Sequence, residues 1–408
     1  MERHASPVDV PALDRFQQRA LIVGGIGVLA GIAGGLIDRS SGEPLVLGLS
    51  PVFYRAWLVG FMACAGLTLG SLGWLMLHHM TGGQWGLVSR RVFEASSRTL
   101  PIVALFFLPV VLGIPAVFEW SHEDLVQSNA VLRQKAPYLN VTFFIIRAVV
   151  YFAFWLMCVV LLNRWSEAQD RGTVATTPQD TVRFRKVSAP GLLFLVLTVT
   201  FAATDWVMSL EPEWFSTIFG LLTVTGQGLA AVAFTIVVLT MIAPARPLAG
   251  VVAPKHFHDL GKFMLAFVML WAYLSFSQFL IIWSGNLPEE IPWYLKRMQG
   301  VWGAMAIVLI VGHFALPFLL LLSRSLKRHS GMLARLAVFV LLMRIVDIIW
   351  LVAPAYEHHG FPLHWLYVVL PLGMLGVWCF AFARNLRSRA LLPVNDPYFK
   401  EAFAHEVH

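Results

Sequence analysis

Residues that carry or pair protons recur inside stretches otherwise apolar enough to lie in lipid: His78, His79, Glu119, Arg147, Asp205, Asp259, Lys262, His313, Arg344 and Asp347. A charge at mid-bilayer costs roughly 2.5–3.5 kcal/mol on insertion scales, so each of these needs a partner, a route to the interface or a task. Asp259 and Lys262, like Arg344 and Asp347, stand three residues apart and can neutralise each other on one helix face. Asp205 has no cation within a helical turn. Its partner must come from another helix, with Arg147 at comparable depth the best candidate, or it must be protonated and able to carry a proton.

The densest arrangement runs from His256 to Glu290, HFHDLGKFMLAFVMLWAYLSFSQFLIIWSGNLPEE. At about 100° per residue, Asp259, Lys262, Tyr273, Ser277 and Ser284 share one helical face, with Trp271, Ser275 and Gln278 opposite. A helix polar along its length is expected to be enclosed by neighbours on at least two sides, where it could conduct protons. By depth, the ionisable groups predict an inner cluster (His78, His79, Asp259, Lys262), a middle relay (Tyr273, Ser277, His313, Arg344, Asp347) and an outer cluster (Asp205, Arg147, Glu119). Interfacial packing of the histidines, snorkelling of Lys262 and a purely structural Arg344–Asp347 pair are the plain alternatives.

These residues need membrane helices to hold them. The chain is 58% hydrophobic and 13% charged, with a mean hydropathy of +0.71, which excludes an ordinary soluble domain. Ten segments are long and apolar enough to span: 19–37, 54–80, 98–120, 139–163, 188–210, 214–243, 256–284, 299–324, 331–354 and 362–384. The expected fold is all-α and polytopic: a segment 1–18, a ten-helix domain 19–384 and a tail 385–408, with no cleavable signal. Segments 2–5 and 6–9 pair into two four-helix bundles if short loops join antiparallel neighbours. Of the 30 Lys and Arg, 21 lie at the N-terminus, around the loops after segments 2, 4, 6 and 8, and in the tail; six lie on the opposite side. Both termini are therefore expected to be cytoplasmic, with Trp57, Trp120, Trp214, Trp283, Trp293 and Trp365 near the outer interface.

The charge of +7 follows this topology and no nucleic-acid partner is implied. Cys64, Cys158 and Cys379 form no ligand spacing, so neither an iron–sulfur cluster nor a disulfide framework is expected. Haem needs paired axial ligands at matched depth, which His313 lacks. A quinone slot needs apolar walls and one or two polar groups, for which Tyr273, Gln278 and Trp283, with Ser277 and Asp205, are candidates. The tail from Leu386, LLPVNDPYFKEAFAHEV after its first residues, reads as a surface-lying cap or as a docking element for a cytoplasmic-side partner.

The block HDLGKFMLAFVMLWAYLSFSQFLIIWSGNLPEE, with LHHMTGGQWG at 77–86, ATDWVMSLEPEWFSTIFG at 203–220 and PVNDPYFKE at 393–401, resembles the membrane subunits of bacterial alternative complex III. These belong to the wider NrfD or polysulfide-reductase membrane-subunit family, and the length is more like that of the F subunit than of the longer C subunit. The resemblance implies a ten-helix subunit of the bacterial inner membrane, in a complex that oxidises menaquinol or ubiquinol. Its implied partners are a homologous membrane subunit, an iron–sulfur protein, multihaem c-type cytochrome subunits, lipids and a terminal oxidase. It also implies that this chain binds no metal or covalent cofactor and conducts protons through the residues named above, with menaquinone or ubiquinone the cofactor candidate and the C subunit the better-supported quinol site. A secondary transporter and a structural scaffold are the competing readings. Pro101, Pro109 and Pro115 interrupt segment 3 without counterparts in segment 7, unlike the paired breaks of transporters.

Overall fold

The computed structural model describes residues 11–174, 176–356 and 364–399. It is 80% helical with no strand among the described residues. Ten spanning elements follow one another: α1 Pro11–Ile37, α2 Pro51–Thr81, α3 Gln84–Leu112, α4 Val141–Asp170, α5 Val182–Leu210, α6 Phe219–Ile242, α7 Pro254–Gly285, α8 Gly300–Leu322, α9 Ser330–Tyr356 and α10 Leu366–Arg387. The chain is an all-α polytopic membrane protein. An even number of spans returns the chain to the side where α1 begins, so both ends of the bundle lie on the face that carries most of the Lys and Arg, here the basic face.

Local chemistry sets the helix limits. Ser50 accepts the Phe53 N–H and Pro51 opens α2, while Gly82, at φ +69°, closes it. At α7 the His256 Nδ1 accepts the Ala253 backbone N–H at 2.9 Å, and Asn286 ends the helix in the left-handed region at φ +45°. His256 thus caps its own helix.

α2 and α6 form the core: α2 packs on α3, α5, α6 and α10, and α6 on α2, α5, α7 and α9. Around them α2–α5 and α6–α9 make two four-helix groups, and α1 lies along α10. Close approach of α2 and α6 depends on Gly70, where a Cβ would stand 2.2 Å from the Gln227 carbonyl oxygen. Trp74 of α2 donates to the Gly228 carbonyl of α6 at 2.9 Å. The α1–α10 seam is also glycine-lined, since a Cβ at Gly27 would meet Gly373 backbone at 2.6 Å. With little hydrophobic force to gather helices already in lipid, such backbone contacts and interhelical hydrogen bonds carry the association.

Several boundaries differ from the sequence expectation: α1 begins at Pro11 rather than residue 19, α4 runs on to Asp170, and the third span differs at both ends. The third span starts at Gln84, not at residue 98, because QWGLVSRRVFEASS forms a buried helix that continues past Arg98–Thr99 into Leu100–Leu112. Its arginines are neutralised inside the protein rather than by loop solvent. The same span ends at Leu112, and Glu119 lies beyond it in a short 3₁₀ turn on the surface.

Gly70→Val should drive the valine into the Gln227 carbonyl and lower stability by about 1–3 kcal/mol, as overpacking does. Gly25→Ala, which has open space around it, should leave the unfolding temperature in detergent unchanged.

Candidate functional site

On the side opposite the basic face, α4 and α5 are joined by an ion pair. Arg147 donates from Nε to Asp205 Oδ2 at 2.8 Å and from Nη2 to Oδ1 at 2.9 Å, and the Tyr151 hydroxyl adds a third bond at 2.9 Å. The third guanidinium nitrogen donates to the Tyr138 carbonyl, and the Tyr138 ring stacks on the group at 3.8 Å. Asp205 is 0% exposed. Burial, then the Asp205 charge, pushes the Tyr138 phenol up to about 12, so it stays a neutral partner. Asp205 therefore has the cation expected from α4, and both its oxygens accept hydrogen bonds. Glu119 is exposed and outside this cluster.

The expected inner cluster divides in two. His78 and His79 lie with α3: the His78 ring fills the space beside Gly86, where a Cβ would come within 1.8 Å of its Nδ1, and His79 stacks on Phe184 at 4.5 Å. Their charged neighbours are Arg90 and Glu94. Asp259 and Lys262 instead pair with each other at 3.0 Å on the outer surface of α7.

Sequence reasoning missed the network beside those histidines. Glu94 accepts from Arg90 at 2.8 Å, Arg91 at 2.7 Å and Ser166 at 2.6 Å. Arg91 also pairs with Asp170, and Arg90 with Asp396 at 2.9 Å. Asp396 belongs to the tail, whose Leu391 and Leu392 are buried and whose Asn395 donates to the Asp170 carbonyl. The described tail thus folds back as a cap on its own chain; residues 400–408 of the docking segment lie outside the described residues. The i, i+3 and i, i+4 spacing in RRVFE was the available signal. Arg297, counted as a loop charge, was missed too: it is buried and holds Glu211 at 2.5 Å and the carbonyls of Trp293, Trp350 and Leu351.

The polar stripe of α7 faces away from the bundle, contrary to the expected enclosure. Tyr273 is 67% exposed, and Ser277 is half-buried; the buried face is the one with Trp271 and Gln278. Tyr273, Gln278 and Trp283 consequently do not converge on a slot. Gln278 is inside, bonded to Ser216 and the Tyr294 hydroxyl, whereas Tyr273 and Trp283 point outward. These three do not fit a quinone ring. Burial pushes the Tyr294 phenol up to about 12.

Four residues do meet in the membrane interior. Arg344 pairs with Asp347 on α9, and Trp271 of α7 donates to Asp347 Oδ2 at 3.3 Å. The Trp271 ring meets His313 of α8 edge to face, with centroids 4.4 Å apart. The guanidinium fits because residue 226 on α6 is glycine, where a Cβ would stand 2.4 Å from Arg344 Cζ. His313 is 0% exposed, and neither ring nitrogen has a hydrogen-bond partner among the described residues. It sits in a π-helical turn, Leu309–Ala315, a distortion found mostly at functional sites. A buried imidazole always presents at least one donor, and leaving it unmet costs about 1–3 kcal/mol. The arrangement is an unpartnered imidazole one indole away from a paired carboxylate. Among the described residues no group of three or more His, Cys, Asp or Glu could hold a metal ion.

No family model matches the chain, and no curated protein matches it.

Replacing Asp205 by Asn should leave Arg147 buried and unpaired, a loss of about 3–5 kcal/mol. The double variant R147M/D205L should regain most of it, measured as thermal unfolding in detergent.

Proposed function

We propose that this chain is the cofactor-free membrane subunit of a quinol-oxidising respiratory complex of the bacterial inner membrane, and that it moves protons while other subunits move electrons. The carrying observation is the His313–Trp271–Asp347–Arg344 group, where an unpartnered imidazole lies beside a paired carboxylate inside the membrane. His313 would take a proton when a water or a shifting side chain reaches it. The added positive charge would then compete with Arg344 for Asp347, coupling the proton to a rearrangement on α9. Quinol chemistry is assigned to the assembly rather than to this chain, since the candidate lining residues diverge.

The resemblance in segments 77–86, 203–220, 256–290 and 393–401 supports the partners: a homologous membrane subunit, an iron–sulfur protein and multihaem cytochromes. The unbroken 32-residue helix of α7 counts against a secondary transporter, which uses paired broken helices. A scaffold reading is favoured by one observation, the bidentate pairing of Arg147 with Asp205, and it applies to that pair.

Purification from the native membrane should bring cytochrome and iron–sulfur subunits with the chain; recovery as a lone monomer or homodimer would overturn the assignment. In the intact complex, H313F and D347N should each slow proton uptake coupled to quinol oxidation by roughly a hundredfold. Unchanged coupling in both, with the complex assembled, would leave the scaffold reading standing.

A further inference from the structure

Where α7 and α8 reach the basic face, cations gather without enough carboxylates to match them. Lys327, on the short helix Arg324–Arg328, is only 7% exposed, yet its ammonium has no carboxylate or hydrogen-bond partner among the described residues. Its stem crosses α7 at Gly261, where a Cβ would meet Lys327 Cγ at 2.9 Å. This crossing carries the ammonium toward Lys262 and His258. The charges that act on His258 are Lys262, Lys327, Asp259 and Arg324: three cations against one carboxylate, already engaged with Lys262 at 3.0 Å. Burial, then repulsion from Lys262, pulls the Lys327 ammonium below the ordinary lysine range. An anion seated there would relieve both effects.

The surroundings indicate which anion. Leu319 and Leu322 of α8, exposed and apolar, lead directly into Arg324, so an oily surface runs up to the cationic group. A ligand with a negative head and an apolar body would satisfy both parts, whereas a soluble anion would use only one. Basic pockets between helices at a membrane surface bind lipid head groups in this way.

We propose that Lys262, Arg324 and Lys327 form a phosphate-binding site at the basic face, taking the phosphodiester of an anionic phospholipid whose acyl chains lie along α8. The site needs only the membrane fold and does not rest on the proton-moving role.

The delipidated full-length chain in neutral detergent, titrated with dioctanoyl phosphatidylglycerol, dioctanoyl phosphatidylcholine or inorganic phosphate, provides the test, with the unfolding temperature as readout. Phosphatidylglycerol alone should raise that temperature, and R324Q/K327Q should need a far higher concentration, roughly fivefold for each charge removed. The neighbouring exposed Arg328→Gln should respond like the wild type. If R324Q/K327Q does not fold, Lys262→Gln, altered on the exposed surface, should weaken the response by its single-charge share. Equal stabilisation by phosphatidylcholine would reduce the effect to the acyl chains. Stabilisation by inorganic phosphate alone would assign the site to a soluble anion. An unaltered response in the lysine and arginine variants would remove these residues from any site. Each of these three results overturns the proposal.

Discussion

Lipid offers no water to a charged side chain, and that constraint organises this protein. The buried arginines among the described residues are matched by carboxylates or carbonyls. Arg147 and Asp205 tie α4 to α5. Arg90, Arg91 and Glu94 tie α3 to α4 and to the tail. Arg297 and Glu211 tie the loop after α5 to the end of α9. These ties stand near helix ends, where each closes a junction that apolar packing alone would leave free to slide.

The interior group differs in kind. At Asp205 three donors converge on two oxygens, two of them from the Arg147 cation. At His313 two buried nitrogens have no partner among the described residues. A bidentate pair resists change in protonation because each proton moved would strand a charge. An unsatisfied ring has the opposite property: its next proton or water has somewhere to go. The two sites thus differ in how far their polar groups are met, more than in the number of charges they hold.

The spans were legible because apolar runs of about twenty residues have few alternatives in lipid. The pairing of Asp205 with Arg147 was also legible, since an isolated buried carboxylate requires a cation at its own depth. The direction of the α7 stripe was not. A helical wheel orders residues around an axis but contains no information about which sector meets the bundle, and Trp271 with Gln278 won that position over Tyr273. The Arg90–Glu94 network was hidden for a related reason. Charges next to a span look like loop charges until a second helix, here α4 with Ser166 and Asp170, supplies the partners. His313 could be named as an intramembrane histidine, but its lack of partners among the described residues depends on which side chains the neighbouring helices bring to it.

The contact between Gly70 and the Gln227 carbonyl joins the central helices of the two four-helix groups, and Trp74 fastens them again one turn further on. Alternating access in transporters built from two halves requires one half to rock against the other about a yielding seam. Here the seam sets a glycine directly against a backbone carbonyl, with the Ala231 methyl group beside it. A cycle that rocked one four-helix group against the other would therefore have to break this close approach and the Trp74 bond together.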